Sequence, residues 1–232
     1  MQRSSTTLGR MPGAGRSKLQ SVTCALLVGV LALAVAGCGG GGDSQTTPGC
    51  DDVDAPAARD DGGETAPAEP LDASKTWTLT FDTSCGSFVV TLDLDSAPNT
   101  AASLVSLARA GYFDDTEFHR IVPGFVIQGG DPTQSGSGGP GYSTRDAPAA
   151  GAAYTKGVMA MAKTATEAAG TAGSQFFIVT GTDAGLPPEY AVVGKVTSGL
   201  DVVERIGKLG DPATEQPTQP VVIDSVTVGS GS

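Results

Sequence analysis

Few side chains in this sequence are suited to acid, base or nucleophilic chemistry. The chain has a single histidine, His119. One imidazole cannot assemble the multi-histidine sites that zinc and iron enzymes usually use. A Ser-His-Asp triad would also depend on His119, yet the sequence contains no Gly-x-Ser-x-Gly motif. We therefore predict neither a metal enzyme nor a hydrolase, and we expect no metal and no cofactor.

Two other motifs resemble functional sites but fit loops better. Asp114, Asp115 and Glu117 form a short acidic cluster, which a solvated turn explains as well as acid-base chemistry does. Residues 136–141 satisfy the G-x-G-x-x-G pattern of dinucleotide-binding loops, but Pro148 and small residues follow it instead of an amphipathic helix. We assign no chemistry to either motif.

The charge balance of the chain limits its partners. The sequence has 14 Lys and Arg residues against 25 Asp and Glu residues. Such an excess of negative charge repels the phosphates of nucleic acids at long range. We therefore expect no nucleic-acid partner.

The first residues have the composition of an export signal. Basic residues up to Lys18 precede an uncharged run from Val22 to Ala36. The run is shorter than the ~20 residues that span a bilayer core, which disfavours a retained transmembrane helix. Residues 35–38, Val-Ala-Gly-Cys, resemble the bacterial lipobox, in which the cysteine becomes the lipid-bearing first residue of the mature protein.

Three regions follow from this interpretation. We predict a signal peptide with lipobox over residues 1–37, lipidation of Cys38, and an extracytoplasmic protein anchored to the cell membrane by that lipid. The alternative is an ordinary signal cleaved near Ala36, which would leave the protein freely soluble. Residues 38–75 are rich in Gly, Ala, Pro, Asp and Glu, too poor in large apolar side chains to offset ordering entropy. They are predicted to be a flexible acidic linker before a single domain at 76–232.

Two cysteines remain once Cys24 in the signal and Cys38 at the anchor are set aside. Cys50 and Cys85 form an even pair in a compartment that should be oxidising. We predict a disulfide between them. It would close a loop of about 35 residues and stabilise the fold by ~3 kcal/mol.

The periodicity of the remaining chain predicts a mainly β domain with two helices. Apolar side chains alternate on both sides of a break at 83–86, which indicates a hairpin. Pro98 and an apolar stripe up to Ala108 predict a helix that Gly111 ends. Ser198 and Asp201 resemble a capping box at the start of a second helix. Further β-type runs are predicted at 121–127, 157–162, 175–180, 191–196 and 221–228. Many short strands with two helices suggest a closed barrel.

Two longer segments are more specific. Phe118 to Asp131 (Phe-His-Arg-Ile-Val-Pro-Gly-Phe-Val-Ile-Gln-Gly-Gly-Asp) and Gly173 to Ile178 (Gly-Ser-Gln-Phe-Phe-Ile) resemble the two signature segments of the cyclophilin family. The resemblance extends over Thr76 to Val228. It implies a closed eight-stranded antiparallel barrel capped by two helices, and the activity of a peptidyl-prolyl cis/trans isomerase. Proline-containing segments of exported proteins are the expected partners, and we expect a monomer.

The resemblance also implies the catalytic residues. Arg120 matches the family's donor to the prolyl nitrogen, and Gln128 matches the residue that positions this donor. His119 is adjacent to Arg120, but rotation about an amide needs no proton carried away. We interpret His119 as a hydrogen-bonded structural residue.

The substrate-binding residues are implied in the same way, since periodicity alone would place them in an ordinary core. The proline pocket matches Phe125, Val126, Phe177 and Leu186, with Met161 behind them. Ala162 and Lys163 match the edge that pairs with substrate backbone, and Gln175 lies beside the arginine in the family. Lys163 replaces a common asparagine, and Tyr190 stands where many members have histidine and is expected to line the pocket.

Two alternatives remain open at this stage. One is a binding module that holds proline-containing segments in the same groove without essential catalysis, which an intact Arg120 and Gln128 argue against. The other is a general holdase chaperone, which would need a large exposed apolar patch.

Overall fold

The structure is a computed structural model that describes residues 49–231. Within this range the chain forms eleven strands and two helices. In chain order these are β1 Thr76–Thr83, β2 Gly86–Leu92, α1 Pro98–Arg109, β3 Thr116–Glu117, β4 Arg120–Val122, β5 Val126–Gly129, β6 Thr144–Arg145, β7 Val158–Met161, β8 Thr171–Ala172, β9 Phe176–Val179, β10 Val192–Ser198, α2 Leu200–Ile206 and β11 Val222–Gly231.

Nine strands form one antiparallel sheet in the order β3-β11-β1-β2-β10-β7-β9-β5-β4, and β6 pairs with β8 in a small second sheet. The prediction of a mainly β fold with two helices is confirmed. The sheet curls, but among the described residues no ladder joins its edge strands β3 and β4. The pairing thus differs from the closed eight-stranded barrel that we predicted. The two edge strands are consecutive in the chain, and only Phe118 and His119 lie between them.

Alternating side chains explain why the first hairpin forms. Leu79 and Phe81 of β1 lie opposite Val90 and Phe88 of β2, and all four are buried. The rings of Phe81 and Phe88 stack with centroids 4.8 Å apart. Gly86 takes a φ of 106° at the turn, a conformation that favours glycine. The predicted break at 83–86 is therefore the turn of the hairpin.

Helix α1 buries the predicted apolar stripe, but its N-terminus is capped from a distance. Its N-cap residue, Ala97, has no side chain that can accept a hydrogen bond. The buried carboxylate of Asp146 accepts instead from the backbone N–H of Thr100 at 2.7 Å, from its hydroxyl at 2.6 Å and from Asn99 at 2.8 Å. This carboxylate occupies the position that helix N-termini favour for negative charge.

Two element boundaries differ from the predictions. The apolar run 121–127 is not one strand, because the chain turns at Pro123 and Gly124 and separates β4 from β5. Helix α2 begins at Leu200 rather than at Ser198, which still belongs to β10. Its N-cap is Gly199 in a left-handed conformation, without a side-chain cap.

Strands β5, β7 and β9 are buried on both faces, so that a second apolar cluster forms on the side away from the main core. Ile127, Met159 and Ile178 face the main core. Val126, Ala160 and Phe177 lie in a second apolar cluster on the opposite face. Because neighbouring residues of a strand point to opposite faces, each of these strands contributes to both clusters.

Residues 49–75, which we call the N-terminal arm, need a correction. They form no helix or strand, as predicted, but they lie along the domain instead of forming a free tether. The arm is joined to the first hairpin by the Cys50–Cys85 disulfide that we predicted. The N–H of Asp51 donates to the carbonyl of Ser84 at 2.7 Å.

Further along, the arm follows the loop at 131–141. The N–H of Arg59 donates to Pro132 at 2.8 Å, and that of Gly62 donates to Gly139 at 2.7 Å. The Arg59 guanidinium also donates to the carbonyls of Tyr112 and Asp114 at 2.7 and 2.9 Å. These bonds order the arm with little apolar burial, which is why composition alone predicted flexibility.

The predicted signal peptide and Cys38 lie outside the described residues. Between residues 49 and 231, neither helix is long and apolar enough to cross a bilayer.

Candidate active site

The pairing of β4 with β5 brings together the two residues expected to be catalytic. Arg120 lies directly opposite Gln128 in the ladder. Nη1 of Arg120 donates to Oε1 of Gln128 at 3.3 Å, and Nε2 of Gln128 donates to Oε1 of Gln175 at 3.1 Å. Nε2 of Gln175 donates to the carbonyl of Gly138 at 2.9 Å. A chain of hydrogen bonds thus fixes one side of the guanidinium.

Arg120 has a second partner that the sequence analysis did not predict. Nε of Arg120 donates to Oε2 of Glu215 at 2.7 Å. Glu215 lies in the loop between α2 and β11, 95 residues away in sequence. Neither periodicity nor the matched segments pointed to it, and only the packing of this loop against β4 reveals the pair.

Arg120 borders a pocket of about 330 Å³ on the outer face of β5 and β9. Its walls are the second apolar cluster, in which Val126 and Phe177 are 2% and 4% exposed. The structure brings together nearly all of the predicted site residues here: Arg120, Phe125, Val126, Gln128, Ala162, Lys163, Phe177, Leu186 and Tyr190.

Tyr190 is held firmly at the rim of this pocket. Its ring meets the ring of Phe177 edge-on, with centroids 5.5 Å apart. The buried hydroxyl of Tyr154 donates to the carbonyl of Tyr190 at 2.8 Å and accepts from its N–H at 3.0 Å. Burial raises the pKa of Tyr154, so this hydroxyl keeps its proton at neutral pH.

Met161 is the one predicted pocket residue that the structure places elsewhere. It is fully buried in the main core and does not line the pocket. Ala160 precedes it on β7 and belongs to the pocket-side cluster, so strand alternation directs Met161 inward. The prediction of Met161 as a contact to substrate is wrong in this respect.

Lys163 and Ala162 form the edge between this pocket and a neighbouring one. The Lys163 side chain is only 2% exposed, and its Nζ lies 3.0 Å from Oε2 of Glu189. It also donates to the carbonyls of Thr164 and Glu167, each at 3.2 Å. The N–H of Ala162 donates to the carbonyl of Gln175 at 2.9 Å. The Lys163 ammonium and the Ala162 N–H thus both already have partners within the domain.

The neighbouring pocket has a volume of about 610 Å³ and shares Gln128, Ala162 and Lys163 with the first. The two pockets therefore form one continuous groove. Gln175 lines the neighbouring pocket, together with the glycine-rich loop at 136–141 that resembles a nucleotide motif. The arm contributes Asp61 to its rim.

The buried carboxylate of Asp131 shapes that loop. It accepts from the N–H groups of Thr133, Gly136 and Gly138 and from the Thr133 hydroxyl. Burial by itself raises the pKa of Asp131, but these four donors outweigh it and the pKa lies below its usual value. Asp131 is therefore an ionised anchor of the groove wall.

The interpretation of His119 as a hydrogen-bonded residue needs a correction. Both ring nitrogens are buried and form no hydrogen bond with the residues that the structure describes. Groups of Glu117 and Gln175 lie near enough to affect its pKa, but their geometry is not that of a hydrogen bond. Burial lowers the pKa of His119 and the Arg120 charge lowers it further, while Asp131 opposes the shift. The imidazole is consequently neutral at neutral pH.

Comparison with known proteins identifies this arrangement. The sequence model described as cyclophilin type peptidyl-prolyl cis-trans isomerase/CLD matches residues 78–228. The chain belongs to the cyclophilin family. The match begins within β1 and includes both signature segments. Of the groove residues, only Asp61 of the arm lies outside it.

Curated relatives of this cyclophilin are peptidyl-prolyl cis-trans isomerases. One is peptidyl-prolyl cis-trans isomerase-like 1 of Aspergillus fumigatus, 38% identical over 149 residues, which are 62% of this chain and 91% of the relative. Another is peptidyl-prolyl cis-trans isomerase A of Mycobacterium tuberculosis, 36% identical over 171 residues, or 66% of this chain and 92% of that one. This cyclophilin is an isomerase of the same class.

Solved structures agree with the fold. A cyclophilin type isomerase from Cryptosporidium parvum superimposes with a TM-score of 0.61 at 26% identity, covering 68% of this chain and 99% of that one. A second crystal structure of that isomerase, in the presence of the dipeptide Ala-Pro, matches with a TM-score of 0.61 at 28% identity, covering 66% of this chain and 99% of that one.

Proposed function

We propose that this cyclophilin accelerates X-Pro bond rotation in exported proteins, and that Arg120 is the group that lowers the barrier. The barrier of ~20 kcal/mol comes from resonance between the nitrogen lone pair and the carbonyl. A donor aimed at the prolyl nitrogen favours the twisted transition state, in which that nitrogen becomes pyramidal, over either planar ground state.

The free edge of the Arg120 guanidinium is the observation that carries this proposal. An arginine side chain has five N–H donors. Nε is engaged by Glu215 and Nη1 by Gln128. Among the described residues, Nη2 has no protein hydrogen-bond partner, while the side chain borders the pocket. The guanidinium is thus held by two partners through Nε and Nη1, and Nη2 is the nitrogen left to donate to a peptide in the pocket.

The pocket supplies the selectivity for proline. Its apolar walls accept a ring that carries no N–H, so the ring can leave water without leaving a donor unsatisfied. The adjoining pocket across Ala162 and Lys163 receives the residues that precede the proline. The hydrogen bond to Gln128 keeps the donor in place when the substrate turns.

Substitution of Arg120 tests this mechanism. We expect Arg120→Ala to lower kcat/KM on a proline peptide more than tenfold, or more than ~1.4 kcal/mol in barrier height. Arg120→Lys should also be impaired, because the lysine ammonium lacks the planar fork through which Gln128 and Glu215 bind two different nitrogens. Arg145→Ala, an exposed arginine outside the groove, is the matched control and should keep the normal rate.

The outcome also separates the isomerase mechanism from the binding-module alternative. A binding module predicts that Arg120→Ala changes affinity for proline peptides at an unchanged catalysed rate. A normal rate in folded Arg120→Ala protein would therefore remove the proposed mechanism.

We further propose that the protein is exported and anchored by lipid on Cys38. The sequence of the first 38 residues supports this, and a Cys50–Cys85 disulfide suits an oxidising compartment. Mass spectrometry of protein from a bacterial membrane fraction should show an N-terminal Cys38 that carries acyl chains. Cys38→Ser should release the protein from the membrane. A mature chain that begins at Gly37, directly after Ala36, and keeps an unmodified Cys38 thiol would contradict the anchor.

A further inference from the structure

The loop between α2 and β11 contains a non-glycine residue in a left-handed backbone conformation. Glu215 has a φ of 60°, one of three positive values among the described non-glycine residues. A side chain in this left-handed conformation is disfavoured, and glycine would take it without cost. Residues held in such conformations cluster at functional sites.

The surrounding loop holds the backbone of Glu215 firmly. Its N–H donates to the carbonyl of Asp211 at 2.8 Å, and its own carbonyl accepts from the N–H of Ile121 at 2.8 Å. The side chain of Asp211 braces the turn by accepting from the N–H groups of Ala213 and Thr214 at 2.8 and 3.0 Å. Glu215 is therefore fixed to β4 next to the residue that it contacts.

The close approach of the loop to β4 depends on Gly210. A Cβ atom at this position would overlap the carbonyl oxygen of Ile121. Gly210 thus permits the loop to lie directly on the strand, and the Glu215 carboxylate reaches Nε of Arg120 from there. The pair is part-buried, with side-chain exposures of 34% for Arg120 and 45% for Glu215.

From this geometry we propose that Glu215 is a positioning residue for catalysis. It rests on the proposed role of Arg120 and extends it. Gln128 and Glu215 bind different nitrogens of one planar group, and two such bonds fix both the position and the plane of the guanidinium. Arginine has large rotamer entropy, so a donor held only by Gln128 would sample orientations that miss the prolyl nitrogen.

Substitutions at Glu215 separate positioning from stability. We expect Glu215→Ala and Glu215→Gly to lower kcat at least fivefold with KM changed less than twofold, because the donor acts in the transition state. Glu215→Gln still offers an oxygen to Nε and should retain at least half of the normal kcat. Glu215→Gly should melt no lower than the natural protein, since glycine relieves the left-handed backbone.

A matched control isolates the effect of backbone relief. Asp115 has a φ of 53° and is exposed outside the groove. Asp115→Gly therefore makes the same kind of backbone change and should leave kcat unaltered. The Nε–H resonance of Arg120 gives a direct readout by ¹⁵N NMR. It should be sharp in the natural protein and in Glu215→Gln, and broadened by solvent exchange in Glu215→Ala.

The results distinguish two failures. Normal kcat in Glu215→Ala and Glu215→Gly, alongside a large loss in Arg120→Ala, would overturn the positioning role and leave the role of Arg120 intact. Glu215→Gln as impaired as Glu215→Ala would also overturn it, because the hydrogen bond would not then be what matters. A normal rate in Arg120→Ala would instead remove the proposed mechanism itself.

Discussion

Removal of the Cys50–Cys85 disulfide should lower the free energy of unfolding substantially. The two cysteines are 35 residues apart. In the chain-entropy description, cross-linking a loop of this length removes enough entropy from the unfolded chain to stabilise the fold by about 3.8 kcal/mol at 25 °C, somewhat more than the ~3 kcal/mol expected in the sequence analysis. For a domain of this size, such a loss corresponds to a fall in melting temperature of roughly 8–15 °C.

Urea unfolding of the double variant Cys50→Ala/Cys85→Ala measures this loss directly. The natural protein in reductant should match the variant, and reductant should not change the variant further. Neither cysteine lines the groove, so the isomerase rate without denaturant should stay normal. A difference in unfolding free energy below about 1 kcal/mol would refute the reasoning, because the link would then not restrict the unfolded chain as the entropy relation requires.

Three other substitutions test the supports of the fold and the site. Asp146→Asn should cost about 2 kcal/mol in urea unfolding, because the charged acceptor of the Thr100 N–H and hydroxyl is lost; an unchanged midpoint would show that α1 needs no distant cap. Tyr154→Phe leaves the Tyr190 N–H and carbonyl without their partner, and it should raise KM for proline peptides more than it lowers kcat; an unaltered KM would exclude a role in holding the rim. Burial raises the pKa of Glu117, so its protonated form favours the fold at low pH and this stability is lost as pH rises through the folded pKa. Glu117→Gln should therefore stabilise the protein at pH 7, with the gain shrinking below about pH 4; a gain that is constant with pH would contradict the shift.

Local pattern was enough to predict the elements whose side chains alternate or repeat. The β1–β2 hairpin and helix α1 follow from spacing, turn residues and Pro98. The run at 121–127 misled the prediction because Pro123 and Gly124 lie between apolar residues on both sides. When two apolar strands are joined by a short turn, their hydrophobicity pattern alone predicts one continuous strand.

The N-terminal arm shows a different limit of composition. It contributes only Cys50 to the main core, with Leu71 packed against it, and its ordering depends mainly on hydrogen bonds to partners far along the chain. The bond from Gly62 to Gly139 joins residues 77 positions apart, and nothing in the local sequence of the arm specifies it. Such contacts exist only after the domain has folded.

The groove residues could be predicted only through the resemblance to the cyclophilin family. Phe125, Val126 and Phe177 have the spacing of ordinary core residues, and the structure shows why, since β5 and β9 are buried on both faces. Met161 was counted among the substrate-binding residues behind the pocket, and strand alternation places its side chain in the main core. Glu215 was missed because its contact with Arg120 depends on loop packing and a positive φ, neither of which leaves a periodic signal.

Exchange NMR on a bound proline peptide tests the central claim most directly. In the presence of substoichiometric enzyme, the line shapes of the cis and trans forms report both affinity and the rate of rotation on the enzyme. For Arg120→Ala we predict an affinity within about threefold of normal and a bound-state rotation slowed more than tenfold, or over ~1.4 kcal/mol. Rotation at the normal rate, with or without a change in affinity, would contradict the account.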